Sequence, residues 1–216
     1  MLTQTIVELE QKVQLSGISW QTYETLLKEL SDRRLRLTYN RGNLEIMLPS
    51  LEHERYKEII GRFVETLAEE LEVRIYPLGS TTFKRPEFLG AEPDKCFYIR
   101  NLSEVQGKKR LNLNQDPPPD LVVEIDITSS SEIRFPVYAD MGVPEIWRYD
   151  GNSFIVYQLQ AQEYIPCEES LAFPNLPITE IFQFLRQAMS MDYLELIKSF
   201  RRWVKSQIQE NQGSAA

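Results

Sequence analysis

The chain has 216 residues, 42% of them apolar and 26% charged, the composition of a folded domain rather than a disordered or fibrous chain. Its 32 acidic against 24 basic side chains give a net charge of −8. That balance argues against a general nucleic-acid coat, though not against a cleft with local positive charge or bound Mg²⁺. Two cysteines, Cys96 and Cys167, and one histidine, His53, exclude a disulfide scaffold, a Cys-rich zinc site and any site needing two imidazoles from one chain.

Residues 1–15 carry Glu8 and Glu10 and lack the basic start and apolar core of a signal peptide. No apolar run approaches the ~20 residues that span a bilayer. A cytoplasmic protein is expected. Residues 19–31 read as a helix capped by Ser19, with Tyr23, Leu26, Leu27 and Leu30 at helical spacing. A hairpin follows. Leu35, Leu37 and Tyr39 alternate with Arg36 and Thr38, residues 40–43 turn, and Leu44, Ile46 and Leu48 alternate with Glu45 and Met47. The clearest element is a helix over 51–72, with Tyr56, Ile59, Ile60, Phe63, Val64, Leu67 and Leu71 on one stripe and Ser50 as its cap.

Strands are expected at 73–76, 80–84, 96–99 and 121–127, the last entered through three consecutive prolines that hold the chain extended. Residues 135–141 suit a short helix, with Pro136 in its first turn and Gly142 ending it. A hairpin over 145–149 and 154–159 comes next, with a further strand near Tyr164. Helices are expected at 179–187 and 191–208. The order predicts an α/β (α+β) domain with a mixed central sheet.

The chemistry begins in residues 121–127. Period-two alternation puts Leu121, Val123, Ile125 and Ile127 on one face and Asp120, Val122, Glu124 and Asp126 on the other. In a central strand, neighbouring carboxylates stay ionised cheaply only beside a cation, and Mg²⁺ or Mn²⁺ takes such oxygen ligands. An edge strand with a solvated face is the alternative. Thirty residues before Glu124, Pro93–Asp94 leads into another strand. One carboxylate from each of two strands is an arrangement that can hold a metal against a phosphate oxygen.

Four stretches then carry a resemblance: residues 42–50 with His53; Glu92–Pro93–Asp94; residues 119–125; and Tyr138 followed by Gly142–Val143–Pro144–Glu145–Ile146–Trp147. In this order they resemble the motifs of the Uma-type restriction endonuclease family, formerly a domain of unknown function, within the PD-(D/E)XK nuclease superfamily. The resemblance spans roughly residues 20–185. It implies a restriction-endonuclease-like sheet flanked by helices and a Mg²⁺- or Mn²⁺-dependent endonuclease acting on DNA. Asp94 and Glu124 would be metal ligands, and His53 matches a histidine at the head of the first core helix. A single domain over 1–216 is expected, with a nuclease-like core over about 36–160, a helical extension over about 178–208 and a disordered tail at 211–216.

Two departures stand out. The superfamily lysine position two residues after the second acid is Asp126. The family's other lysine position, four residues before Tyr138, is Arg134. Arginine can clamp a phosphate but stays protonated, so it cannot carry a proton. The competing expectation is therefore a catalytically degenerate nuclease-fold module that binds nucleic acid or protein. Each residue also has a plainer reading. For Asp94 it is a turn former, for Glu124 a solvated strand position, and for His53 a partly buried, hydrogen-bonded side chain. For Arg134 it is a salt bridge to Glu132 or Asp140. The basic loop Lys108–Lys109–Arg110 is a solvated loop or a backbone contact. The C-terminal stripe with Trp203 is core, or a homodimer contact.

Overall fold

The computed structural model describes residues 11–127 and 133–214, the side chains of 213 and 214 excepted, so the expectations for residues 1–10 and Glu132 lie outside it. In chain order the elements are β1 Gln11–Leu15, α1 Trp20–Glu29, β2 Arg36–Asn40, β3 Asn43–Leu48, α2 Leu51–Glu70, β4 Tyr76–Pro77, β5 Phe83–Arg85, β6 Leu89–Ala91, β7 Lys95–Tyr98, α3 Leu102–Val105, β8 Leu121–Ile125, α4 Phe135–Met141, β9 Glu145–Tyr149, β10 Phe154–Gln160, β11 Glu163–Cys167, α5 Ile181–Leu185 and α6 Tyr193–Ser214.

Two sheets form. The six-stranded one runs β11-β10-β9-β8-β7-β4 and is mixed, because β8 and β9 are parallel while the other pairs are antiparallel. The loop between β8 and β9 carries α4, the crossover that a parallel pair requires. β8 lies inside this sheet and all five of its residues are buried, which removes the edge-strand alternative. Its period-two faces serve two cores. Leu121, Val123 and Ile125 meet α2 and α6, while Val122 faces α4 with Tyr138, Val137 and Ile146.

The large core is built by the stripe of α2. Ile59, Ile60, Phe63, Val64 and Leu67 are all buried, and Phe63 stacks on Phe200 of α6 at 4.1 Å between ring centroids. Leu196, Ile197, Phe200 and Val204 of the α6 stripe are buried in this core, and the partly buried Trp203 packs against Phe184 and Phe200. The helix continues through residues 211–214, where a tail was expected.

The second sheet, ordered β1-β3-β2-β6-β5, is antiparallel throughout. Arg41 and Gly42 both take positive φ, the two-residue turn whose twist suits a hairpin. One face of this sheet is apolar. Leu37, Tyr39 and Leu44 pack under α1 against Tyr23, which stacks on Tyr39 at 5.0 Å. The other face carries Arg36, Thr38, Glu45 and Met47, opposed in the register Arg36–Met47 and Thr38–Glu45. That polar face is turned inward: Thr38, Glu45 and Met47 are buried.

Several expectations shift at their boundaries. Residues 73–76 yield only the two-residue β4, and 80–84 shortens to β5. β1, β6 and α3 were not expected. β6 is too short for a periodic signal, and Val13 and Leu15 of β1 remain 53% and 41% exposed, so their alternation buries little. The motif at 142–147 is structural. Gly142 caps α4 at φ 81°, Trp147 is in the core, and Glu145 accepts hydrogen bonds from Trp147 Nε1, Ser170 Oγ and the amides of Leu171 and Ala172.

The α1–β6 contact tolerates no added atom. A Cβ on Gly90 would stand 2.1 Å from the Tyr23 hydroxyl oxygen and 2.5 Å from its Cζ. Tyr23 is wholly buried and held by its stack, so it cannot swing clear. Gly90→Ala is expected to destabilise by about 2 kcal/mol, the scale of overpacking. A thermal melt should show this as a midpoint about 4–8 °C lower.

Candidate active site

Asp94 immediately precedes β7. Continuing the Lys95–Val123 pairing by one step brings it opposite Glu124 of β8. Both side chains are fully buried. Asp94 Oδ2 accepts the Ile125 amide at 2.9 Å, which pins the carboxylate to the end of β8. Its Oδ1 lies 2.8 Å from His53 Nε2. His53 sits in the first turn of α2, where its own amide is capped by Ser50 Oγ at 3.1 Å. The cap sets where the helix starts, and the start sets the imidazole on Asp94. Burial alone would raise the Asp94 carboxyl, but His53, the charge of Arg134 and the Ile125 amide hold it below its ordinary range.

Glu124 is held at both oxygens. Arg134 Nη1 donates to Oε2 and the Tyr138 hydroxyl to Oε1. Arg134 stands just before α4 and Tyr138 one turn into it, so the same helical face delivers both donors. Burial is the main influence on Glu124, and with Asp94 and Asp126 nearby it pushes the carboxyl up to about 8 despite Arg134. Burial and the adjoining Glu124 likewise push the Tyr138 hydroxyl well up, so it is a proton donor to the carboxylate.

Arg134, 1% exposed, is the hub. Besides Glu124 it faces Asp126 Oδ1 at 3.6 Å and, from the second sheet, Glu45 Oε1 at 3.7 Å. Asp126 also receives Arg148 Nε of β9 at 2.5 Å, and Glu45 receives Lys12 of β1 at 2.6 Å. Arg36 of β2 brings its Nε within 4.0 Å of Asp94 Oδ1. The inward polar face of the second sheet is therefore the roof of the site. Asp140 pairs with Arg41 instead of Arg134, and Asp120 caps the turn after β7 through the amides of Ile99 and Asn101.

The sequence-predicted residues Asp94, Glu124, Arg134 and His53 thus converge. Glu45, Arg36 and Arg148 are not among the residues the sequence predicts, and Tyr138 enters there only as a motif position. The signal for Glu45 and Arg36 was present in the hairpin alternation, which puts both on one face.

Among the described residues no cluster of three or more His, Cys, Asp or Glu side chains is placed to hold a metal ion. Two carboxylates suffice for Mg²⁺, which keeps waters and takes the remaining oxygens from a phosphate. Asp94 and Glu124 fit that demand as donors. They are hard oxygen ligands opposed on neighbouring strands, and each oxygen has a second lone pair beyond the hydrogen bond it accepts. The raised Glu124 carboxyl marks a buried acid cluster that an added cation would stabilise.

No match was found among curated proteins. Among solved structures, the chain is similar to the crystal structure of a putative nuclease belonging to DUF820 from Anabaena variabilis ATCC 29413. The sequence identity is 14% and the TM-score 0.50, over 85% of this chain and 99% of that one, a likeness of fold. A family model described as Uma2, putative restriction endonuclease, matches residues 20–191, so a restriction-endonuclease-like α/β chain with its acids, histidine and arginine gathered between two sheets belongs to the Uma2 family.

Proposed function

We propose that the protein is a Mg²⁺- or Mn²⁺-dependent endonuclease that hydrolyses DNA phosphodiester bonds. The observation that carries this reading is the opposed, fully buried Asp94–Glu124 pair with a guanidinium beside it. The bound metal would supply Lewis acidity toward a phosphate oxygen and a water of lowered pKa. Asp94 and Glu124 would hold it. His53 and the Ile125 amide position Asp94, and Tyr138 positions Glu124. Arg134 would stabilise the negative charge that grows on the phosphate, and being permanently protonated it moves no proton.

The test is calorimetric titration of Mg²⁺ and Mn²⁺ into the wild type and the Asp94→Asn, Glu124→Gln double variant, alongside plasmid cleavage. Binding and cleavage that vanish together in the variant support the reading. Metal-dependent cleavage that survives in it removes the assignment.

Two observations favour a second reading, a degenerate nuclease fold that binds nucleic acid or protein without cutting. Both Glu124 oxygens are already engaged, and Asp126 stands at the superfamily's lysine position. Arg134→Lys separates the two. A wild type that does not cut, with a variant that gains Mg²⁺-dependent cleavage, identifies a degenerate site. A wild type that cuts disposes of that reading.

A further inference from the structure

The acid cluster is enclosed, so a substrate must approach it along a surface that borders it. Two clefts do. One, of about 80 Å³, is lined by Thr38, Asn40, Asn43, Glu45 and Ile133 and offers no cation. The other, of about 430 Å³, is lined by Arg34, Arg36, Pro49, Ser50, Leu51 and Glu54. Two of these lining residues each touch the acid cluster or its support. Arg36 stands 4.0 Å from Asp94, and Ser50 caps the His53 amide. The floor of this cleft is thus one side chain away from Asp94.

We propose that this cleft, between β2 and the start of α2, is the binding subsite for the nucleic-acid backbone, with Arg34 and Arg36 holding a phosphodiester next to the scissile one. The inference rests on the hydrolase reading above and names where its substrate lies. Arg36 opens β2, Arg34 lies in the bend just before it, and both line this cleft. Arg34 is exposed and has no ion pair among the described residues. Arg36 is anchored by Ser80 at 2.9 Å, and its Nε is buried without a hydrogen-bond partner. The acid in the cleft is Glu54, 3.9 Å from Arg36 and also bound by Lys57. Two arginines against one lysine-paired carboxylate leave the cleft positive in a chain of net charge −8. A guanidinium fork matches two phosphate oxygens. Pro49 and the 80%-exposed Leu51 give the wall an apolar surface for a sugar or base.

The experiment is anisotropy of a short fluorescein-labelled single-stranded DNA in EDTA across a salt series, with cleavage of the same DNA in Mg²⁺ read in parallel. Arg34→Glu and Arg36→Gln are each expected to weaken binding about tenfold and to flatten its salt dependence by about one counterion. Arg202→Glu, on α6 near the far end of α2 where Arg201 pairs with Glu69 and Glu70, should bind as wild type. Wild-type affinity in both cleft variants, an equal loss in Arg202→Glu, or no binding by the wild type at low salt overturns the proposal. Arg34 is on the rim, so its variant keeps the test valid if Arg36→Gln misfolds. Weakened binding by the cleft variants with DNA left uncut by the wild type keeps the subsite and removes the hydrolase reading. Cleavage that needs Asp94 but ignores both arginines does the reverse.

Discussion

Arg134→Met is expected to cost the fold about 3–5 kcal/mol at neutral pH in EDTA, the scale for removing one partner of a buried ion pair. Methionine roughly fills the volume, so the loss is electrostatic. Glu124, Asp126 and Glu45 would face one another without their shared cation. The pH dependence has a definite sign. In the native wild type the Glu124 carboxyl titrates near 8, above its unfolded value, chiefly because it is buried. Between those two values the native state binds more protons than the unfolded one. Stability from this group is therefore full at low pH and falls as pH rises toward 8. Arg134 is what holds the Glu124 value down, so without it the native value climbs further and the falling limb extends upward. Urea titrations at pH 5 and pH 8 should show a larger deficit for the variant at pH 8. Equal deficits would mean that the cluster is not what Arg134 stabilises. If the acids hold a divalent ion, millimolar Mg²⁺ should raise the melting midpoint of Arg134→Met more than that of the wild type, because a ligand bound only by the native state stabilises by mass action.

Much of this cluster was readable in the chain. Asp94 follows a proline at a strand entry, Glu124 alternates with buried apolar residues, and His53 falls three residues after a helix cap, all local patterns. Glu45 and Arg36 show the limit. Their alternation with Leu37, Tyr39, Leu44 and Ile46 gave the hairpin and its polar face. A polar face ordinarily meets water. It is turned inward here only because the second sheet stacks over the acids of the first, a tertiary fact with no local signature. β6 was lost for a related reason: Leu89–Gly90–Ala91 is ordered by its pairing with β2 and β5 and by the close approach of Tyr23, not by its own pattern. α6 shows the opposite case. Its stripe was legible, and Phe63 stacking on Phe200 shows what Phe200 of that stripe packs against.

Asp94→Asn should lower the cleavage rate on the order of 10³-fold, as loss of a charge-stabilising group at a reacting centre does, while leaving the fold intact. The amide oxygen can take the Ile125 amide, as Oδ2 does now at 2.9 Å. The amide nitrogen can donate to His53 Nε2 when the imidazole carries its proton on Nδ1. Removing the Asp94 charge also relieves Glu124, whose carboxyl Asp94 pushes up. Against that relief stands the charge itself, which His53, Arg134 and the Ile125 amide favour in the fold, so the variant should stay folded and melt modestly below the wild-type temperature. Glu124→Gln behaves differently. Its carbonyl can still accept from Tyr138, but its amide group would meet Arg134 Nη1 donor to donor, so stability and cleavage should fall together. Melting curves and initial cleavage rates on the same preparations separate the two variants. An Asp94→Asn protein that cuts within a few-fold of wild type would show that the metal, if one binds, does not depend on Asp94, and the site would have to be rebuilt around Glu124, Asp126 and Glu45.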